Sequence, residues 1–256
     1  MRHLKQLLIG SLIVNVMFVG LSGLFLHRRG GIAYLIEWAT AQPTVPSMTY
    51  VESPLYHGRT DLYTKLPLED APIVFAGDSI THFCPWHELL QRPALNRGIE
   101  GDTVAGLRGR IGEVLQHHPR HLFVMIGIND LMDGKTDDDV LAEYQPLINQ
   151  ITTSSPHTQV LLQSILPVDS DAWSANWGKP LRTGIGTHIL QINKALAAMA
   201  DGKHIVYVDL YSAMVAKGDR LDRRYTSDGV HLTGDGYAKW RDVIQPYLPV
   251  AGADAS

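Results

Sequence analysis

Cysteine is nearly missing from this chain: Cys84 is the one cysteine in 256 residues. A single thiol excludes an intrachain disulfide and any thiolate-held metal cluster. Basic excess is missing as well. Lys and Arg number 22 against 26 Asp and Glu, a formal net charge of −4, which speaks against a nucleic-acid-binding surface. The 12 histidines include no HExxH or comparable ligand spacing, so no metal is expected. No internal repeat or low-complexity tract occurs, which excludes solenoid architectures. What remains is ordinary globular material, 45 % hydrophobic and long enough to bury one substantial core.

Long uncharged runs are absent from most of the sequence but not from its start. Residues 7–26, LLIGSLIVNVMFVGLSGLFL, carry no charge. At about 1.5 Å per residue, a helix of that length spans a hydrocarbon core of ~30 Å. Arg2 and Lys5 precede the run, Arg28 and Arg29 follow it, and residues 1–31 hold no acid. A cleaved secretory signal has a shorter apolar region, about 7–15 residues, and ends in a small-x-small site; here the run leads into HRRGG. The expectation is an uncleaved single-pass membrane anchor over 1–31, with a secreted or periplasmic product after signal cleavage as the alternative. Flanking basic residues nearly tie, and the charged amino terminus tips the domain to the non-cytoplasmic side. Residues 32–70 hold prolines and aromatics without periodicity and read as a juxtamembrane connector, ending in a short helix near 60–65 that packs on a domain spanning 71–250.

Within that domain, apolar strands are expected at 73–76, 94–96, 122–126, 160–165 and 205–208, alternating with helices at 104–115, 140–151, 189–200 and 236–247. Val104, Leu107, Ile111 and Leu115 recur at the three- and four-residue spacing of one buried helix stripe. Continuously apolar strands between amphipathic helices indicate an α/β fold with a parallel sheet covered on both faces. Ligands of such sheets bind beyond the carboxyl ends of the strands.

Three strand ends and one late loop carry chemistry there: GDS at 77–79, NRGIEGDT at 96–103, GIND at 127–130 and SDGVHLTGDGY at 227–237. Ser79 supplies a hydroxyl, a poor nucleophile unless a base lies within hydrogen-bond reach. His231 supplies an imidazole, which is suited to that task near neutral pH. Asp228 precedes it by three residues, close enough on a tight turn to hold Nδ1–H and leave Nε2 for Ser79. An oxyanion needs fixed donors: the Ser79 N–H, a glycine N–H from Gly101 or Gly98, and the side-chain amide of Asn129. His82 is a rival base but lacks an acid to fix its tautomer. Asp78, Asp102 and Asp130 read as acceptors that tie the loops, and Cys84 as interior packing. His117, His118 and His121 surround Pro119 and read as a solvated helix end. Trp173 and Trp177, in the long stretch 167–186, either wall a substrate pocket or pack that stretch onto the domain.

With these segments in view, the sequence resembles the GDSL/SGNH hydrolase superfamily. Its blocks match GDS, the glycine of GIEGDT, the asparagine of GIND and the Asp-x-x-His of DGVH, in family order over about residues 73–237. NRGIEGDT looks most like the branch of bacterial esterases and platelet-activating-factor acetylhydrolase catalytic subunits. The resemblance implies a three-layer α/β/α sandwich around a mostly parallel five-stranded sheet and ester hydrolysis without a cofactor. It implies Ser79 as nucleophile, Asp228 and His231 as the dyad, and Gly101 rather than Gly98 beside Asn129 in the oxyanion hole. The expected activity is a serine hydrolase acting on small acyl esters of glycans or lipids. A lysophospholipase or thioesterase for longer chains, and a non-catalytic envelope binding or scaffold protein, are the alternatives. Oligomeric state is not legible.

Overall fold

The computed structural model describes residues 53–249, together with isolated helical positions between Ser11 and His27. The expected anchor, with its apolar run over 7–26, therefore lies outside the described residues apart from those isolated positions, and among the described residues no helix is long and apolar enough to cross a membrane. The chain divides into two compact units, Met1–Ser47 and Met48–Ser256, and the site belongs to the second.

The first element described in that unit is helix α1, Pro54–Lys65. It starts well before the short helix expected near 60–65. The Ser53 side chain accepts from the Tyr56 N–H, and Pro54 occupies the first turn, where its missing N–H has no cost. Strand β1, Ile73–Gly77, is buried throughout. Strand β2, Leu95–Gly98, precedes helix α2, Val104–Leu115, which Thr103 caps through the Gly106 N–H. Strand β3, His121–Met125, precedes helix α3, Asp137–Ser154, which opens with a capping box of Thr136 and Asp139. Strand β4, Gln159–Gln163, precedes helices α4, Ser170–Trp177, and α5, Ile185–Met199. Strand β5, Ile205–Val208, is followed by helix α6, Gly234–Ile244, and a 3₁₀ turn, Gln245–Tyr247.

The five strands form one sheet in the order β2-β1-β3-β4-β5, every neighbouring pair parallel. Right-handed crossovers place the β1–β2 connection on one face and the later connections on the other, because the direction of winding reverses at β1. The packing follows that rule. Helix α2 lies against α3 and α3 against α5, while the short helix Trp86–Leu90, in the β1–β2 connection, packs on α6. Phe75 stacks on Trp86 on one side and on Phe123 in the next strand. The reversal between β1 and β3 is the switch point at which a doubly wound sheet offers a ligand crevice.

Three differences from the sequence reading have local causes. Strand β4 stops at Gln163 because the Ile165 N–H leaves the ladder for the Asn193 side chain (2.8 Å). The stretch 167–186 is not a bare loop: Asp169 accepts from the Asp171 and Ala172 N–H groups and nucleates α4. An antiparallel pair, Val215–Ala216 with Arg220–Leu221, was too short to leave a periodic signal. His117 is a fourth correction, being buried rather than on a solvated end. Its Nδ1 donates to the Glu69 carbonyl (2.8 Å), so Nε2 accepts from Arg97 (2.8 Å).

Candidate active site

Strand β1 ends at Gly77, and a Cβ there would lie 2.1 Å from the Met125 carbonyl oxygen and 2.4 Å from the Thr81 hydroxyl. Only glycine lets the chain turn this close to β3. Asp78 follows as the cap of a one-turn helix, Ser79–His82, its carboxylate accepting from the Ile80 N–H at 3.0 Å. Ser79 thus sits at the first position of a helical turn, immediately past a strand, with its N–H pointing away from the turn's own hydrogen bonds. Burial pushes the Asp78 carboxyl up to about 7, opposed by the Ile80 N–H and assisted by the nearby Asp102 and Asp130 carboxylates.

From the other end of the chain, the loop before α6 brings His231 to the same place. His231 Nε2 lies 3.0 Å from Ser79 Oγ, and His231 Nδ1 lies 2.6 Å from Asp228 Oδ2. Asp228 serves the loop with its second oxygen: Oδ1 accepts from the N–H groups of Val230 (2.9 Å) and His231 (2.8 Å). The carboxylate therefore shapes the turn and orients the imidazole at once. Burial alone would raise Asp228, but the bonds from the His231 ring and the two amides outweigh it and hold the carboxyl below its usual range. Thr226 braces the loop from inside, donating to the His231 carbonyl (2.7 Å) and accepting from the Gly229 N–H (2.9 Å).

Asn129 lies in the short helix Ile128–Met132 after β3, and its amide donates to the Asp102 carbonyl at 2.9 Å. One of its two N–H groups is thereby fixed, which aims the other. Gly101 adopts φ +66°, a left-handed conformation that disfavours a side chain. Gly98 is excluded as a donor because its N–H is held by Asn96 Oδ1 (2.9 Å). Asp102 and Asp130 are buried loop ties: Asp130 accepts from the Val104 N–H (3.0 Å) and Lys135 (2.7 Å). His82 is occupied at both nitrogens, donating from Nδ1 to the Gly98 carbonyl (2.9 Å) and accepting Arg59 at Nε2 (2.8 Å). Cys84 is buried, and desolvation pushes its thiol up to about 12.

Trp173 is buried under the Asp228 loop, and Trp177, half-exposed, stacks on it at 5.2 Å with Nε1 3.4 Å from Asp228 Oδ2. Sequence reasoning passed over two further residues. Phe83 is 46 % exposed with its ring 5.3 Å from that of His231, an apolar wall beside the base. Tyr237 on α6 donates to the Ile80 carbonyl (2.8 Å), joining the helix behind the late loop to the turn that carries Ser79. A tyrosine three residues into an amphipathic helix gave no such signal.

A hydroxyl on an imidazole, the imidazole on a carboxylate, and amide donors from neighbouring strand ends suit nucleophilic acyl transfer. Comparison with known proteins agrees. Residues 75–239 match the GDSL-like lipase/acylhydrolase family. The platelet-activating factor acetylhydrolase IB subunit alpha2 of Rattus norvegicus is 25% identical over 178 residues, covering 67% of this chain and 73% of that protein. The isoamyl acetate-hydrolyzing esterase of Saccharomyces cerevisiae is 24% identical over 166 residues, covering 60% and 70%. Among solved structures, a GDSL-like lipase from Bacteroides thetaiotaomicron superposes with a TM-score of 0.62 at 22% identity, covering 75% of this chain and 96% of that one.

Proposed function

We propose, from the premise that the chain belongs to the GDSL-like lipase/acylhydrolase family and is a carboxylic ester hydrolase, that it removes short acyl groups, acetyl above all, through an acyl-enzyme on Ser79. The observation that carries the reading is the relay from Ser79 Oγ to His231 Nε2 (3.0 Å) and from His231 Nδ1 to Asp228 Oδ2 (2.6 Å).

In this reading Ser79 Oγ attacks the ester carbonyl while His231 Nε2 takes its proton. The imidazolium that forms is stabilised by Asp228, whose ionised state the loop amides favour. The carbonyl oxygen becomes an oxyanion facing the N–H groups of Ser79 and Gly101 and the free N–H of Asn129. Each such donor stabilises the transition state by about 2.7–4 kcal/mol. The intermediate collapses, the alkoxide leaves with the proton from His231, and water repeats the sequence on the acyl-serine. Two relatives named for acetyl substrates support the short acyl group, and Phe83 offers apolar contact beside the base. The sequence reading of a membrane anchor over residues 7–26 stands as part of the proposal and would hold the domain near ester-bearing lipids or glycans of an envelope.

Turnover of p-nitrophenyl acetate against the octanoate ester tests the acyl preference. A higher kcat/KM for acetate is expected; a strong octanoate preference would replace the short-acyl reading with a long-chain one.

A further inference from the structure

Helix α1 precedes the family-matched residues 75–239 and would pass for a connector, yet its polar contacts are aimed at one place. The Tyr56 hydroxyl donates to Asp102 Oδ1 (3.1 Å), and the Tyr63 hydroxyl donates to the Gly98 carbonyl (2.9 Å). Arg59 donates to His82 Nε2 (2.8 Å), whose Nδ1 donates to that same Gly98 carbonyl (2.9 Å). Tyr56 and Tyr63 therefore grip residues 98–102, the loop that carries Gly101, directly, and Arg59 does so through His82. Tyr56 and Tyr63 also form a small apolar cluster with Ile99, inside that loop.

Asp102 is where the contacts converge. It is fully buried, and a buried carboxylate persists only when its charge and lone pairs are met. Arg110 meets the charge at Oδ2 (2.7 Å), and Tyr56 and the Thr103 N–H (2.9 Å) satisfy Oδ1. The same residue's carbonyl receives the Asn129 amide at 2.9 Å, and its peptide nitrogen joins it to Gly101. One residue thus adjoins both candidate oxyanion donors outside the Ser79 turn, Asn129 through its carbonyl and Gly101 through the chain, while its carboxylate anchors it. The sequence has cleared space for the contact: a Cβ at Gly106 would lie 2.2 Å from Asp102 Oδ1 and 3.0 Å from the Tyr56 hydroxyl.

We propose that α1 is a working part of the hydrolase, with Tyr56 a positioning residue that acts through Asp102 to hold Asn129 and Gly101 where the oxyanion forms. Tyr63 and Arg59 steady the other end of the same loop. The proposal rests on the reading of Asn129 and Gly101 as oxyanion donors.

The test is a double-mutant cycle on the full chain with p-nitrophenyl acetate, all rates expressed per active site titrated to completion with a fluorophosphonate. Tyr56→Phe is expected to lower kcat about tenfold with KM within twofold, a fraction of the 10²–10³ lost when a donor is removed outright. Asn129→Ala should show that larger loss, and adding Tyr56→Phe to it should cost less than threefold more, because the group being positioned is already gone. A kcat for Tyr56→Phe within threefold of wild type overturns the proposal, as does a tenfold loss that persists undiminished in the Asn129→Ala background. An Asn129→Ala enzyme with wild-type kcat instead overturns the oxyanion assignment beneath it, so the two failures are distinguishable. If Tyr56→Phe does not fold, Tyr63→Phe takes its place: a selective loss of kcat per titrated site supports the proposal, and unchanged kcat overturns it.

Discussion

Replacing Asp228 by Asn changes one atom, and the structure dictates how that atom is placed. Asp228 Oδ1 accepts two backbone N–H groups, at 2.8 and 2.9 Å, while Oδ2 faces His231 Nδ1 at 2.6 Å. An asparagine must keep its carbonyl oxygen toward the two amides, since those donors have no alternative state. Its NH₂ is then forced onto His231 Nδ1. The imidazole can answer only by becoming an acceptor there, which puts its proton on Nε2, facing Ser79. A base that already carries the proton it should remove cannot activate the hydroxyl. In Ser-His-Asp triads this tautomer inversion lowers kcat by about 10⁴, about 5.4 kcal/mol at 1.36 kcal/mol per decade. Here the loop geometry is kept, so the melting temperature should stay near wild type and KM should change little. Steady-state hydrolysis of p-nitrophenyl acetate, with thermal melting as the control for folding, measures all three. A kcat within tenfold of wild type would refute the tautomer argument, and a loss confined to KM would show that Asp228 acts on substrate instead.

Other consequences concern groups around the relay. Asp78 releases its proton near 3.8 when unfolded and only near 7 when folded, so the folded state holds more protons between these values. Stability from this group is thus present at low pH and lost as pH rises through that window. Asp78→Asn should gain on wild type by a few kcal/mol between pH 4 and pH 8, read from urea midpoints; a difference constant with pH contradicts the burial of the charge. The Cys84 thiol, buried and pushed up to about 12, should leave activity untouched by iodoacetamide in the native enzyme, and inactivation tracking alkylation would place it in the chemistry. Phe83→Ala, removing the ring beside His231, should raise KM for the acetate ester roughly three- to tenfold, the worth of a partly buried aromatic contact, with a smaller change in kcat. An unaltered KM would mean the substrate lies elsewhere.

The legible parts of this protein were those governed by short-range pattern. The sheet could be read because β1, β3 and β4 are buried along almost their whole length and carry unbroken apolar runs at 73–76, 122–125 and 160–162, and helix α2 spans the same residues, 104–115, as its three-and-four spacing indicates. Ser79, Gly101 and Asn129 could be singled out because chemistry restricts which residue types follow strand ends, and Asp228 and His231 because an acid three residues before an imidazole on one loop suits a catalytic pair. Less legible were features decided by partners far away in sequence. Nothing around His117 forecasts that Glu69 and Arg97 enclose it. Tyr237 reaches Ile80 across 157 residues, and Tyr56 reaches Asp102 across 46. The early start of α1 was signalled by Ser53-Pro54, but irregular composition on either side concealed it. Asp169 likewise could be taken for a loop residue until its bonds to the Asp171 and Ala172 N–H groups show it to be a helix cap.

In the proposed reaction an oxygen on residue 79 becomes covalently bonded to the acyl group because a distant imidazole removes its proton. Peptide mapping of the fluorophosphonate-labelled protein tests it most directly, comparing wild type with Ser79→Ala and His231→Ala. A single phosphonylated peptide containing Ser79 is expected, absent in the first variant and formed orders of magnitude more slowly in the second. A label on another residue, or labelling at the wild-type rate without His231, would contradict it.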